Sequence, residues 1–138
     1  MKKVISMALA GAAVFALSGC AGGDSSSGGA VYTDYYITDT GGAGVRDIEW
    51  NCDKGTSGTT NNSGRFYIEG VDTCDLDLHT ALITGNIFLE DNAGSINGID
   101  YSCVGNAAHP GTVNAVTGPN GLIDNASHFT SCTLYNLP

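Results

Sequence analysis

Shifted by 51 residues, the chain lies over itself: Tyr35–Cys52 falls on Asn86–Cys103 without a gap. Ile48 meets Ile99, Trp50 meets Tyr101 and Cys52 meets Cys103. Asp39 meets Glu90, Val45 meets Ile96 and Glu49 meets Asp100. Each copy runs from an apolar strand through an acidic, Gly-bearing turn to an apolar strand ending in Cys. A second Gly-bearing turn follows, Asn61–Gly64 in one copy and Pro119–Gly121 in the other. Each copy then closes on another Cys and a short apolar strand, Cys74–Leu78 and Cys132–Leu134. A tandem duplication is a strong restriction. Whatever layer one copy builds, the other builds too, and the apolar faces of both need a cover.

The faces follow from period-two alternation. Ile48, Trp50 and Cys52 point inward, as do Ile99, Tyr101 and Cys103, while Glu49 and Asn51 point outward. Phe66 and Ile68 face in, with Arg65, Tyr67 and Glu69 out; Cys74, Leu76 and Leu78 face in, with Asp75, Asp77 and His79 out. Short β-branched and aromatic runs are broken by clusters of Gly, Thr, Asn, Asp and Ser. No helix-length amphipathic pattern occurs beyond the first residues, which is the grammar of an all-β domain. About four strands per copy are expected. Either each copy closes on itself or the two stack, giving a disulfide-stapled antiparallel β-sandwich of two tandem repeats, residues 31–81 and 82–138.

Five cysteines are present. If Cys20 is set aside, Cys52, Cys74, Cys103 and Cys132 form an even set, which reads as two disulfides in an oxidising compartment. Four cysteines allow three connectivities. The duplicated Cys-bearing strands motivate pairing within each copy, Cys52–Cys74 and Cys103–Cys132. A zinc site is disfavoured, because no Cys-x-x-Cys occurs, and the absence of Cys-x-x-Cys-His excludes the usual covalent haem attachment.

The first residues are of another kind. Met1-Lys2-Lys3 is basic, and Val4–Leu17 is an apolar run of 14 residues. A bilayer core takes roughly 20 residues, so the length suits a cleavable signal peptide, residues 1–19. Leu17-Ser18-Gly19-Cys20 resembles the lipobox read by type II signal peptidase. The resemblance implies a diacylglyceryl thioether on Cys20, cleavage before it and a further acyl chain on the new amino terminus. Two or more chains make a stable membrane anchor. Ala21 in place of Asp resembles the sorting pattern of outer-membrane lipoproteins. Residues 20–30, mostly Gly and Ser after the Cys, read as a flexible tether. From Cys20 onward three basic residues face 14 acidic ones, a formal net charge of −11. Such a surface repels nucleic-acid phosphates and suits solubility, a cation or a basic partner.

Gly44–Cys52 followed by Gly58–Phe66 resembles bacterial Ig-like and transthyretin-like modules. The carboxypeptidase-regulatory-like family among them carries a Gly-x-Thr-Asp-x-x-Gly-x-Phe hairpin. Here Asn61 stands for its Asp, and the second copy keeps only Thr117–Leu122. The resemblance implies a rigid spacer or binding module of an exported protein, without catalysis.

Little in the sequence carries chemistry. His79, His109 and His128 are the only histidines, and none has metal-helix spacing. Asp75, Asp77 and His79, alternating on one strand face, are candidate ligands for a divalent cation. Calcium is conceivable there or at the hairpin turns, although no EF-hand loop exists. No Gly-x-Ser-x-Gly elbow and no phosphate-binding Gly loop before a helix is present, so no catalytic residue is expected. Trp50 alternates with core positions, whereas Tyr32, Tyr36 and Tyr67 are candidate exposed platforms for a glycan. The sequence thus points to a non-catalytic, lipid-anchored binding or structural module of the cell envelope, adhesin- or matrix-like, meeting a protein or glycan partner. An accessory lipoprotein of an envelope secretion or assembly machine is the alternative; a small hydrolytic enzyme, or an accessory domain of one, is less favoured. Asp75, Asp77 and His79 with the turn Asn61–Gly64 form the expected contact surface.

Overall fold

A computed structural model describes residues 30–138. The expected signal peptide, Cys20 and the expected tether up to residue 29 lie outside the described residues. Among the described residues eleven strands occur in chain order: β1 (Tyr32–Thr38), β2 (Glu49–Cys52), β3 (Ser57–Thr59), β4 (Arg65–Glu69), β5 (Asp72–Asp77), β6 (Ile87–Asp91), β7 (Gly94–Ser95), β8 (Asp100–Gly105), β9 (Thr112–Val116), β10 (Leu122–Ile123) and β11 (Phe129–Leu137). All pairings are antiparallel. One sheet has the order β3-β2-β5-β11-β8-β9. The other has the order β10-β6-β1-β4, with β7 also on β6. The protein is an all-β, disulfide-stapled antiparallel sandwich.

The strand orders show how the duplication is used. In the first copy β2 pairs β3 and β5, and β4 pairs β1; in the second β8 pairs β9 and β11, and β10 pairs β6. Both sheets therefore read as palindromes about a central seam, β5–β11 in one and β1–β6 in the other. The copies neither close separately nor stack one on the other. They lie side by side, each giving strands to both sheets, related by an approximate two-fold through the seams. The connection between β5 and β6 contains the expected boundary at residues 81 and 82. The copies contribute five and six strands rather than about four.

The gap-free overlay needs one correction. At the β1–β6 seam Ile37 pairs with Leu89 and Thr38 with Phe88. The equivalent buried positions are Tyr35 with Ile87 and Ile37 with Leu89, an offset of 52. From Val45 with Ile96 to Cys52 with Cys103 the offset is 51. The second copy is one residue shorter in the intervening turn. Asp39 thus corresponds to Asp91 and not to Glu90. Both carboxylates accept from backbone N–H groups of their own turn, Gly41 and Ala43 in one copy, Ala93 and Gly94 in the other.

Between the sheets lie the inward residues of both. Trp50, Cys52, Cys74, Leu76, Tyr101, Cys103, Cys132 and Leu134 face Tyr35, Ile37, Phe66, Ile68, Ile87, Leu89 and Ile123, all buried. Tyr35 stacks on Phe66 at 5.5 Å, and the Trp50 ring lies 6.1 Å from Phe66. The disulfides join Cys52 to Cys74 and Cys103 to Cys132. Each pair is directly in register on neighbouring strands. Pairing within copies thus coexists with one shared core.

A buried threonine does the same work in each copy. Thr60 Oγ1 accepts from Ile48 N–H at 3.0 Å and donates to Val45 C=O at 2.8 Å. Thr117 Oγ1 accepts from Ile99 N–H at 2.9 Å and donates to Ile96 C=O at 2.9 Å. These four backbone groups sit at the kink where the chain crosses between sheets and has no ladder partner for them. Gly64 and Gly121 then adopt φ of +72° and +75°. A Cβ there would stand 2.0 Å from Ile37 O and 2.1 Å from Leu89 O respectively, so the chain can pass only as glycine.

Candidate binding groove on the six-strand sheet

Because Trp50, Leu76 and Cys132 point into the core, their neighbours point out of the six-strand sheet. Two polar rows result. One is Thr59, Glu49, Asp77 and Ser131; the other is Ser57, Asn51, Asp75 and Thr133, each registered with the next. All of these but Thr133 line a shallow groove of about 580 Å³. Its lining includes the carboxylates of Glu49, Asp75 and Asp77 together with His79, and no Lys or Arg. Glu49 and Asp77 stand directly opposite each other on β2 and β5. Like charges so placed destabilise a sheet.

His79 Nδ1 lies 2.5 Å from Asp77 Oδ1, and His79 N–H donates to the same oxygen at 3.2 Å. The side-chain hydrogen bond to His79 holds Asp77 below the usual carboxylate value of 3.8. Asp75 instead accepts from Thr133 Oγ1 at 2.6 Å. Asp75 and Asp77 thus face different neighbours. Among the described residues no group of three or more His, Cys, Asp or Glu side chains is arranged to hold a metal ion. The three proposed cation ligands share the groove but do not converge.

The turn Asn61–Gly64 does not line the groove, contrary to expectation. Asn61 Oδ1 accepts from Ser63 and Arg65 N–H at 2.9 and 3.2 Å and so closes the turn. The closed turn packs on Gly44, where a Cβ would lie 2.2 Å from Ser63 C. The groove's outer wall is β3 instead.

The aromatic residues divide. Trp50 is buried, as its alternation requires. Tyr67 leaves β4 on the outer face, yet its ring meets Trp50 edge-on at 4.9 Å. An edge strand has no neighbour to block that path. Arg65 lies over the Tyr67 ring, 5.1 Å from its centroid. Exposed Tyr32 meets Tyr67 at 5.8 Å, and the two line a hollow of about 530 Å³ with Lys54 and Glu69. Tyr36 is half-buried between Arg65 and Glu90 in the ladder and belongs to no hollow described.

Sequence reasoning treated the histidines singly. The fold stacks His109 on His128, rings 3.6 Å apart and 5° from parallel, beside Asp124 and Tyr101. Nothing in their separation along the chain announces this contact. Burial raises the Tyr101 phenol, and burial followed by the charge of Asp91 pushes Tyr35 up to about 12. The Tyr35 hydroxyl donates to Pro138 C=O and ties the chain end to β1. Comparison with protein-family models, with curated proteins and with solved structures found no match to this chain.

Proposed function

We propose that this is a lipid-anchored outer-membrane protein of the cell envelope, facing the periplasm or the cell surface. Its sandwich acts as a non-catalytic binding or structural module of the Ig-like or transthyretin-like kind. The acidic groove of β3, β2, β5 and β11 is its contact surface. One observation carries the groove's part: Glu49 and Asp77 are set opposite each other, beside Asp75, with no Lys or Arg in the lining. A surface that keeps an unfavourable like-charge pair gains when a cationic group of a partner protein or an amine-bearing glycan settles there. Disulfides within each copy suit an oxidising compartment, and the lipobox resemblance supplies the anchor.

Three measurements test the reading. Intact-mass spectrometry of the membrane fraction should give a chain beginning at Cys20 with added acyl mass. A chain beginning at Ala21 or later, without acyl mass, would refute the anchor. Capture from envelope extract by the folded domain should recover a partner at low salt. Glu49→Gln, Asp75→Asn and Asp77→Asn together should lose it, since rim and groove charges are screened and neutralised alike. Equal recovery by the triple variant would remove the groove from the proposal. Calorimetric titration with calcium or zinc should show no heat, because the carboxylates do not converge.

A further inference from the structure

The four lateral edges of the two sheets are unequal. Among the described residues, β3 ends one sheet with three residues including Gly58. In the other sheet β7 and β10 are two residues each, and β4 carries Arg65 and Glu69 at its ends. Short or charged edges are how sheet proteins avoid pairing with other chains. The remaining edge, β9, is Thr112-Val113-Asn114-Ala115-Val116, with no charge, proline or glycine. It belongs to the longest uncharged stretch of an acidic domain: from Tyr101 to Ile123 there is no Asp, Glu, Lys or Arg. Val104, Val113 and Val116 are 48%, 44% and 51% exposed there.

The ladder shows which groups the edge presents. Gly105 N–H bonds to Gly111 C=O at one end, and Thr117 N–H to Ile99 C=O at the other. Opposed residues in an antiparallel pair alternate between hydrogen-bonded and open. With the register Cys103↔Val113 and Ser102↔Asn114, Val113 and Ala115 spend their backbone groups on β8. Those of Thr112, Asn114 and Val116 point away from the sheet.

We propose that β9 pairs antiparallel with β9 of a second copy, about a two-fold axis at Asn114. This proposal is independent of the groove and of the anchor. Asn114 would face Asn114, and Thr112 would face Val116 on both sides. All three outward-pointing backbone N–H and C=O groups of each strand then find partners. Val113 would face Ala115 on the inner side. Both line a hollow of about 490 Å³ with Tyr101, Phe129 and His128, which the shorter sheet leaves uncovered. The operation repeats what the fold already does at β1–β6 and β5–β11, where equivalent strands of the two copies pair antiparallel. It joins the molecules along a strand that itself carries no charge, with Asp100 opposite Val116 and Asp124 in the hollow the nearest acidic side chains, so β9 adds no like-charge pair of its own.

The test is the mass in solution of the full chain in mild detergent, by light scattering from about 1 µM to about 1 mM. The protein should pass from one chain to two and go no further, because pairing consumes the edge. Added salt should favour the pair by screening repulsion. Asn114→Pro removes the outward N–H and leaves the β8 ladder whole; Asn114→Lys sets two ammonium groups face to face. Both should remain single chains with an unchanged circular dichroism spectrum. Asn62→Lys, in a distant turn, should pair like the parent. A parent that is a single chain throughout would overturn the proposal. So would a pair that survives both Asn114 substitutions.

Discussion

Thr60 and Thr117 each satisfy one N–H and one C=O that the crossing between sheets leaves without a ladder. Leaving buried polar groups unmet costs about 1–3 kcal/mol. Thr60→Val and Thr117→Val should therefore each destabilise by about 2 kcal/mol in urea unfolding, despite keeping the shape. Equal losses would show that the two sites are equivalent in energy as well as in geometry. Tyr35 adds a pH-dependent part. Its phenol is pushed up to about 12 from 10.0 by burial and Asp91. Its contribution is complete below pH 10 and is lost as pH rises toward 12. Tyr35→Phe should flatten the fall in melting temperature over that window, and an unchanged fall would assign the alkaline transition elsewhere.

The disulfides act on pairs of neighbouring strands. Each closes a loop of 22 or 29 residues across adjacent strands of the six-strand sheet. In the chain-entropy model such loops contribute about 3.5 kcal/mol each. Reduction should lower the melting temperature markedly, and replacing Cys52 and Cys74 by Ala should cost about as much as replacing Cys103 and Cys132. A melting temperature unmoved by reductant would place the stability in the seams alone. The strands between these staples differ in exposure. β5 and β11 sit in the middle of the sheet, while β9 and β3 end it. The length and charge of the end strands, rather than their place in the repeat, set what each edge can do.

Because the copies meet at two seams, neither has a complete sheet. Residues 31–81 alone would expose the pairing groups of β1 and β5 and the apolar surface that the second copy covers. This half, expressed by itself, should show no cooperative thermal transition as a monomer. Calorimetry combined with sedimentation checks this, and a monomer that melts cooperatively would refute the shared core. The whole of residues 32–138 should unfold in one step, since they form one compact unit with a continuous buried cluster.

The all-β class, the inward residues and the duplication were legible without coordinates; the cysteines left three connectivities open, and the repeat favoured the one that the fold forms. Each rests on a local rule: period-two alternation places Ile48, Trp50 and Cys52 by neighbour relations alone, and repeated strands repeat their partners. Tyr67 keeps the alternation, but its ring meets Trp50 because β4 is an edge, which no local pattern records. The overlay slipped by one residue in β6 because a turn can lose a residue without altering the apolar rhythm on either side. Of the candidate site, Asp75 and Asp77 share β5 and its outward face, whereas His79, expected on the same strand, lies in the turn beyond it and reaches back to Asp77. Glu49 joined them through the β2–β5 register, and Asn61–Gly64 left them because it packs on Gly44. The stack of His109 on His128 and the palindromic strand orders belong to long-range pairing. Sequence periodicity says which face a residue takes; hydrogen-bonded register between distant strands says what it faces.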